Sequence, residues 1–507
     1  MERAAFAQVV HAEFTKFRTV RGWIIALCAA AAVFVLLAYL SAWASRQPSP
    51  RVPTGPGGEA VADTYTFVHQ TLAGNGTLTT RVTSLSGAYV PLSGAPVSDF
   101  SSSERAQSSS QLQPGLAPWA KAGIIVEPGT SQGTAYAAVM VTGSHGVRMQ
   151  YDYTHDNPGL PGSVGPSSPR WLRLTRAGDV ITGYDSADGS HWTEIGTARL
   201  TGLRRTVQIG LFVTSPESFP AGATVGTSSV ATAHFDQISV RGDLPRRSWD
   251  GGAITGSGYY RRYAPSTPNW RQPSAGTFTI TGSGDIAPLV GDIISAAWSG
   301  ASIVNGTIVA LLIVIVPATL FATSEYRRGL IRTTFAASPR RGHVLAAKAI
   351  AAGSLAFAAG AVATAIAEVI TRHVLAANGN YLFPQSGPDL ARVVIGTGLL
   401  LGLAAALAVA LGMMLRRSAP AVAAGIVLLV LPGILGSQSG NWLMRFTPTA
   451  AFAIQATLPR SGLVTSSYTP PNGYFPIGPW AGLGVLAAYT AAALGAAAWL
   501  VCRRDAV

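Results

Sequence analysis

The acidic side chains and histidines of the central segment are the residues best suited to acid–base or metal chemistry. Hydrolysis of a glycosidic bond needs two carboxyl groups at a set separation, and no regular spacing pairs any of Glu127, Asp152, Asp156, Asp185 and Glu194. Metal ligands tend to recur at short fixed intervals, and no such interval relates His145, His155 and His191. We therefore predict no catalytic, cofactor or metal site, and a membrane-bound glycan hydrolase is the weakest of three interpretations.

Nucleotide chemistry is not predicted for this chain either. A phosphate-cradling loop has the pattern Gly-x-x-x-x-Gly-Lys-[Ser/Thr], in which backbone amides surround the phosphates. That pattern does not occur in the 507 residues. The chain is therefore predicted not to be an enzyme, and any ATP hydrolysis linked to it requires a separate polypeptide.

A short charged loop lies between two apolar runs and is the best candidate for a functional contact. Short loops rich in Arg and Lys tend to stay on the cytoplasmic side of a membrane. We therefore expect this loop to face a soluble partner inside the cell. Its candidate residues are Glu325, Tyr326, Arg327, Arg328, Gly329, Arg332, Ser338, Pro339, Arg340, Arg341 and Lys348.

This loop resembles the first cytoplasmic loop of ABC-2 type transporter permeases. In that family a glutamate precedes a Gly-[Thr/Leu]-[Ile/Leu]-Arg turn, then Ser-Pro-Arg-Arg, then a Lys that begins the next helix. The matching positions are Glu325, Gly329, Arg332-Thr-Thr334, Ser338-Pro-Arg-Arg341 and Lys348, with Leu330 where the family often has Thr. The segment from Ala12 to Trp23 is similar to the family's Glu-x-x-Lys-x-x-[Ser/Thr] motif before its first span.

The resemblance covers residues 1–45 and 290–507 and carries several implications. It implies a cytoplasmic ABC ATPase subunit as partner, with ATP and Mg²⁺ bound there and no cofactor on this chain. It implies a homodimer or a pairing with a paralogous permease. It also implies that the loop from Glu325 to Arg341 docks on the ATPase. The alternative is a plain basic loop that binds nothing.

Composition and charge distribution favour a membrane protein. Hydrophobic residues make up 48% of the chain and charged residues only 12%, whereas about a quarter of an ordinary soluble domain is charged. The net charge is +13, but residues 46–292 hold 18 basic against 17 acidic residues. The excess therefore flanks the apolar spans, which indicates membrane topology and contact with lipid rather than with nucleic acid.

Six transmembrane helices are predicted from apolar runs near the roughly 20 residues that cross a bilayer. A cytoplasmic amphipathic interfacial helix occupies residues 1–21, with Phe6, Val10, Phe14 and Phe17 on one face. The first span covers residues 22–45, from Gly22 to about Trp43. The others, within 303–507, are 304–323, 346–370, 393–415, 419–435 and 480–501.

Basic residues concentrate in the segments predicted to be internal, which predicts that both termini are cytoplasmic. Residues 46–300 are then extracytoplasmic. The abundance of Arg over Lys, with many Ala and Gly residues, indicates a bacterial source. The predicted location is a multi-pass protein of the bacterial cell membrane.

The segment between the first two spans reads as an all-β sandwich. After a linker at residues 46–60, short alternating runs are separated by Gly, Pro and Ser, which is typical of antiparallel strands. Residues 187–189, Ala-Asp-Gly, provide hairpin chemistry between two such runs. We place the sandwich at residues 60–242 and leave 243–290 as an additional strand or linker region, either a stray strand or part of a second unit.

The region from Trp171 to Gly196 resembles a concanavalin A-like jelly-roll sandwich, on Trp171-Leu-Arg-Leu-Thr-Arg-Ala-Gly178, Ile181-Thr-Gly-Tyr184, Asp188-Gly189 and Trp192. Tyr184 and Trp192 are candidates to stack on a glycan, although sandwich cores also need large aromatic side chains and a core position is the favoured expectation for Trp192. In the third predicted span, Glu368 either pairs with Arg372 four residues later or is a polar residue that lines a substrate path. The GxxxG pattern at Gly398–Gly402 permits close helix approach but is common by chance in so Gly-rich a chain.

The sequence thus predicts membrane all-α architecture with six transmembrane helices and an inserted extracytoplasmic sandwich. Its function is predicted to be the permease subunit of an ABC-2 type exporter. The alternative is a non-transporting membrane anchor or sensor whose sandwich binds glycan.

Overall fold

The computed structural model describes residues 6–45, 53–90, 112–218, 227–254, 269–289, 299–327, 329–337, 340–436, 442–457 and 475–503. The chain divides into two compact units. One comprises residues 1–49, 294–460 and 467–507, and the other comprises residues 50–293 and 461–466. The first is helical where it is described, and the second is built from strands.

The helical unit begins with a short helix, α1, followed directly by a long apolar one, α2. A single residue, Val20, separates them and has an extended backbone that ends one helix and starts the next. The helices are α1 (Phe6–Thr19), α2 (Arg21–Ala44), α3 (Ser299–Arg327), α4 (Ile331–Ala337), α5 (Arg341–Ala377), α6 (Gly387–Leu415), α7 (Ser418–Leu429), α8 (Leu431–Gly436), α9 (Trp442–Phe446), a 3₁₀ helix (Pro448–Gln455) and α10 (Pro479–Arg503).

Five helices of the described chain, α2, α3, α5, α6 and α10, are long and apolar enough to cross a membrane. They coincide with five of the predicted spans. The sixth prediction, residues 419–435, is not confirmed because that segment is two short helices that meet at Val430. Pro432 lies in the first turn of α8, where its missing amide costs nothing, whereas inside a continuous helix it would remove a hydrogen bond.

Close approach of α5 and α6 depends on glycines. A Cβ added at Gly402 would lie 2.8 Å from the carbonyl oxygen of Gly353, and one at Gly398 would lie 2.9 Å from that of Phe357. Side chains at these positions would therefore collide with backbone. The GxxxG pattern, which the sequence alone could not separate from chance, marks the tightest part of this helix pair.

The second unit is a β-sandwich in which one long strand serves two sheets. Its strands are β1 (Val61–Asp63), β2 (Tyr65–Tyr89), β3 (Gln113–Pro114), β4 (Lys121–Glu127), β5 (Ala137–Thr142), β6 (Val147–Tyr151), β7 (His155–Pro158), β8 (Arg170–Ala177), β9 (Val180–Ser186), β10 (Thr193–Arg199), β11 (Thr206–Thr214), β12 (Ser229–Asp243), β13 (Asp250–Ile254), β14 (Asn269–Ser274), β15 (Thr277–Gly282) and β16 (Ile286–Pro288).

The first part of β2 pairs with β11 and β13, and the part from Gly76 onward pairs with β8 and β12. Gly74, between them, has φ +74°, a conformation that favours glycine. The first sheet, S1, is therefore β10-β9-β8-β2-β12-β15-β14. The second sheet, S2, is β13-β2-β11-β4-β5-β6-β7. A core of Val, Leu, Ile, Ala, Met and Phe side chains packs between the two sheets.

The short runs that predict antiparallel strands include Ala122–Val126, Trp171–Thr175, Val207–Val213 and Thr232–Val240, and these lie within β4, β8, β11 and β12. The prediction missed Tyr65–Leu72, the part of β2 that joins S2. It also left open the role of residues 276–281. These residues form β15, which pairs with β12 in S1 and so belongs to the same sandwich rather than to a second unit.

Candidate functional site

Four charged side chains from three helices meet in the helical unit, and we call them the charge cluster. They are Glu13 and Lys16 on α1, Glu325 near the end of α3, and Lys348 in the second turn of α5. The charge cluster therefore ties the amino-terminal helix to both ends of the loop from Glu325 to Lys348.

The ion pairs of the charge cluster form a closed ring. Lys348 Nζ lies 2.8 Å from Glu13 Oε2 and 2.7 Å from Glu325 Oε1. Lys16 Nζ lies 2.8 Å from Glu13 Oε1 and 3.1 Å from the same Glu325 oxygen. Each ammonium group thus bridges both carboxylates, and the four charges sum to zero.

Because the charge cluster is buried, each of its charges needs its partners. The Lys348 side chain has no solvent exposure, and those of Glu13 and Glu325 are 2% and 9% exposed. Buried charges without partners are costly, so removing one member of such a ring is far more destabilising than the ring is stabilising. Phe321 closes one side, with its ring centre 4.5 Å from Lys348 Nζ. The helices that carry these charges must therefore keep their relative positions.

The buried face of α1 shares Phe17 with the predicted apolar face and otherwise consists of other residues. Its buried residues are Val9, Glu13 and Phe17, whereas Phe6 is 40% exposed. Lys16, also on α1, is 41% exposed and bridges the two carboxylates. Glu13 and Lys16 belong to the amino-terminal motif, but the motif by itself does not predict that they form one side of a buried ring. The signal that could have found it is the glutamate on the helix's apolar face.

The rest of the predicted docking loop divides into internal and exposed residues. Arg341 donates from Nη1 to the carbonyl oxygen of Val501 at 2.8 Å, so it binds the end of α10. Arg332, on α4, and Arg340, just before α5, are exposed. Gly329 has φ +68° and forms the turn between α3 and α4. The Arg416 guanidinium lies over the ring of Tyr326, with its carbon 5.4 Å from the ring centre.

Three further residues of the predicted loop fall outside what the structure describes. Arg328, Ser338 and Pro339 lie in the gaps of the described chain, as does the side chain of Arg327. The docking prediction therefore depends, structurally, on α4 and on Arg340.

Glu368 does not pair with Arg372 as the i, i+4 interpretation expected. Within the described residues neither of its carboxyl oxygens has a hydrogen-bond partner, although the residue is 2% exposed. Arg372 donates instead to Gln385 Oε1 at 2.8 Å. Glu368 is therefore a buried polar residue of an apolar helix that forms neither a hydrogen bond nor an ion pair through its carboxyl group within the described residues.

Trp192 and Tyr184, the candidate glycan-stacking residues, are both half-buried on the sandwich. Trp192 is not a core residue. Its indole nitrogen donates to the Gly189 carbonyl oxygen at 3.1 Å, and the Arg173 guanidinium lies over its ring at 3.7 Å. One face of this ring is therefore already covered by a cation.

Two carboxyl groups of the sandwich, those of Asp63 and Glu127, are buried. Glu127 is one of the carboxylates considered from the sequence, whereas Asp63 was not identified there. Asp63 accepts hydrogen bonds from Tyr153 Oη and the Gly133 amide, both at 2.8 Å. Glu127 accepts one from Tyr65 Oη at 2.7 Å, and its other oxygen has no partner among the described residues. Burial raises the pKa of Asp63 to about 6 and that of Glu127 to about 8. Glu127 is therefore mostly protonated at neutral pH.

Comparisons with known proteins do not identify a family. No family model matches the chain, and no curated protein matches it. Among solved structures, a functionally unknown protein from Saccharomyces cerevisiae is 15% identical, with 39% of this chain and 84% of that chain covered and a TM-score of 0.23. A scytalido-glutamic peptidase bound to a transition state analog inhibitor is 9% identical, with 44% and 98% covered and a TM-score of 0.27. Similarities this low support no inference about function.

Proposed function

We propose that this chain is the membrane subunit of an ATP-driven exporter of the ABC-2 type. The charge cluster is the observation that supports the proposal most strongly. Two of its members, Glu325 and Lys348, are the residues on which the family resemblance rests, and Glu13 and Lys16 belong to the second resembling motif. Two motifs separated by some 300 residues of sequence thus meet in one ring.

A mechanical role follows from that geometry. A partner that binds α4 contacts the segment between Glu325 and Lys348. Any movement of α4 acts on the end of α3 and the start of α5, because the buried ring holds both to α1. Work done by a separate ATPase, which would bind the ATP and Mg²⁺, is thereby passed to two apolar helices at once. The charge cluster is then the transmission point between docking and membrane movement.

The remaining features of the proposal concern topology. We propose that α4 and both termini are cytoplasmic, and that the sandwich, as a concanavalin A-like jelly roll, is extracytoplasmic in a bacterial cell membrane. The pathway is formed with a second copy or a paralogue. The basic residues that flank the apolar helices support this orientation through the positive-inside rule.

Co-purification with an ATPase tests the proposal. We expect the full chain, affinity-purified from its native membrane, to bring with it a polypeptide that contains a phosphate-cradling loop. The double variant Arg332→Glu and Arg340→Glu should lose that polypeptide, because both side chains are exposed and reversing them changes the docking surface by four charges. Arg341 is left unchanged because it binds Val501 within the chain.

Arg417→Glu serves as the matched control, since Arg417 is an exposed arginine that precedes a different helix, α7. It should retain the ATPase, and all variants should elute from size exclusion as the wild type does. Wild-type protein that never carries an ATPase would contradict the exporter proposal and favour the membrane anchor or sensor. Retention of the ATPase by the double variant would contradict only the docking surface.

A further inference from the structure

The outward face of sheet S1 presents an ordered grid of side chains that the transport proposal does not use. Alternate residues of β8 point away from the core, and the strand registers align them with neighbours on β2, β9 and β12. Arg173 lies opposite Tyr184 on β9 and Thr79 on β2, and Thr79 lies opposite Ser239 on β12. We call this outward surface of β8, β9, β2 and β12 the grid face.

Hydroxyl groups form the floor of the grid face. In the next row, Thr175 lies between Thr182 and Thr77, and Thr77 lies opposite Arg241. Threonine side chains are short and offer both a hydrogen-bond donor and acceptors. The floor is therefore low, flat and able to hydrogen-bond, while longer side chains stand around it.

Two arginines on the grid face have no acidic partner among the described residues. Arg81 forms a bidentate pair with Asp236, with distances of 2.7 Å and 2.6 Å. Arg173 and Arg241 form no ion pair there, and the only described hydrogen bond of the Arg173 guanidinium is a long one, 3.4 Å, to Thr79 Oγ1. Glu194, the nearest acidic residue in the same row, lies two strands from Arg173, beyond Tyr184.

The Arg173 guanidinium is held by stacking rather than by a carboxylate. Its carbon lies 3.7 Å from the Trp192 ring centre, and stacking on an indole uses the flat face of the guanidinium. The N–H groups on the edge stay available. Burial and the nearby Arg241 cation lower the pKa of Arg173. Among the described residues, two like charges thus lie near each other with no acidic group paired to either, an arrangement that an anionic ligand would stabilise.

We propose that the grid face binds an acidic polysaccharide, with Arg173 and Arg241 contacting its carboxylate or phosphate groups. The threonine floor suits sugar hydroxyls, and the half-buried Tyr184 ring supplies an apolar surface for a sugar ring. The four strands of the grid face, spaced by about 4.8 Å, make a surface about 14 Å wide. That width fits an extended polymer rather than a single small ion.

Trp192 has a positioning role on the grid face. The ring does not serve as an open stacking platform, because Arg173 occupies one face. Trp192 is instead a positioning residue that fixes the guanidinium over the sheet. The inference does not depend on the exporter proposal, because no residue of the helical unit takes part.

Binding of defined polymers by the full-length protein in detergent tests the proposal. The probes are polygalacturonate as an acidic polymer and dextran of matched length as a neutral one. We expect polygalacturonate to bind, dextran not to bind, and the binding to weaken as salt rises from 50 to 500 mM, because exposed charges are screened. Arg173→Gln combined with Arg241→Gln should weaken binding at least about tenfold, since each loses a charge-assisted contact.

Three further variants make the test specific. Arg204→Gln, at an exposed arginine in the turn before β11, should bind as the wild type does. Arg173→Lys retains the charge but lacks the planar fork, and it should fold normally yet bind more weakly. Trp192→Leu should also bind more weakly, and salt dependence should persist through Arg241.

The proposal is overturned if polygalacturonate and dextran bind equally, if neither binds, or if the double variant binds polygalacturonate as the wild type does. It is also overturned if binding that depends on Arg173 is found only with vesicles of anionic phospholipid or with an acidic peptide. Those outcomes would identify the grid face as a surface for lipid or for protein.

Discussion

At the scale of single residues, burial determines what the charged groups of this protein do. Glu13, Glu325 and Lys348 are nearly or wholly inaccessible, so their charges act on one another and not on a partner. Arg332 and Arg340, a few residues away in the same loop, are exposed. Residues that look equivalent in a sequence motif therefore differ in the structure, one set being buried in ion pairs between helices and the other being exposed.

Breaking the ring at Lys348 should destabilise the helical unit strongly. Lys348→Met leaves Glu13 and Glu325 buried with Lys16 as their only cation, and such a loss costs about 3–5 kcal/mol. We expect a clear fall in the midpoint of thermal unfolding of the full chain in mild detergent. Lys16→Met is the matched control, because its side chain is 41% exposed and water can take part of its role, so its midpoint should fall less.

A charge swap distinguishes the ring from simple packing. Lys348→Glu places three carboxylates beside one ammonium group and should fail to give stable protein. Adding Glu325→Lys restores two charges of each sign and should recover much of the loss. If the double swap is no better than Lys348→Glu alone, mutual charge compensation is not what holds these helices together.

Glu127 makes the stability of the sandwich depend on pH. Burial raises its pKa from the ordinary value of 4.5 to about 8, so the folded state holds a proton that the unfolded state releases. Stability should therefore fall as pH rises, by roughly 1.4 kcal/mol per pH unit between about pH 5 and pH 7.5. Asp63, with its pKa raised to about 6, adds to the slope at the acidic end.

Glu127→Gln tests this dependence, because an amide resembles the protonated carboxyl group but cannot ionise. Melting of the sandwich, followed by circular dichroism from pH 5 to pH 8.5, should show a flatter profile for the variant and a higher midpoint than wild type at pH 8. Glu194→Gln, at an exposed carboxylate, should keep the wild-type slope. A wild-type midpoint that rises with pH over this range would contradict the assignment.

At the scale of elements, the α5–α6 pair is governed by the absence of side chains. Gly402 faces Gly353, and Gly398 faces Phe357, with backbone carbonyls where a Cβ would stand. Small residues let helices approach closely and gain dispersion contacts, which matters in lipid, where no hydrophobic effect drives helices together. A GxxxG pattern alone is weak evidence for close helix packing, because many glycines in this chain have no atom within 4 Å of where a Cβ would stand.

A pair of glycine-to-alanine changes separates the two kinds of position. Gly402→Ala should destabilise the full chain by about 1–3 kcal/mol, because its Cβ would lie 2.8 Å from a backbone oxygen that cannot move aside easily. Gly484→Ala, on α10 with no atom within 4 Å of the added Cβ, should be neutral or slightly stabilising, since alanine favours helix. Equal effects in thermal unfolding would refute the close-packing role of Gly402.

At the scale of the whole molecule, the chain is two units that use different solutions to the same problem. The helical unit satisfies its backbone hydrogen bonds within each helix, as a lipid environment requires. The sandwich satisfies them between strands and stabilises itself with an apolar core, without a disulfide, because both cysteines, Cys28 and Cys502, lie in the helices. Each unit has its own core.

The sandwich should therefore fold without the helices. Residues 50–293, expressed alone, are expected to give a soluble protein with a β-sheet circular-dichroism spectrum and a cooperative thermal transition. Lys121 and Asp285 form a buried ion pair, 2.8 Å long, within this fragment. A fragment that ends before residue 285 should therefore be destabilised. A fragment of residues 50–280 is the control and should be unfolded or far less stable.

The sequence by itself determined the architecture in outline: six apolar runs, five of which are long apolar helices in the structure, a basic loop between the second and third, and a β-rich insert whose strands alternate between core and surface. These features depend on composition and on the periodicity of residues close together in the sequence, so they can be predicted from short segments. The predicted sixth span is not confirmed, because the break at Val430 depends on local backbone geometry, which apolar composition does not predict.

Only the tertiary structure decided which residues meet. Glu13 and Lys348 are 335 residues apart in sequence, and nothing in the pattern around either one specifies the other. Arg173 and Arg241 come together because β2 lies between their strands, a consequence of register across the whole sheet. Local patterns encode burial and element type, whereas charge compensation and surface grids arise from contacts between distant segments, which only the folded chain brings into existence.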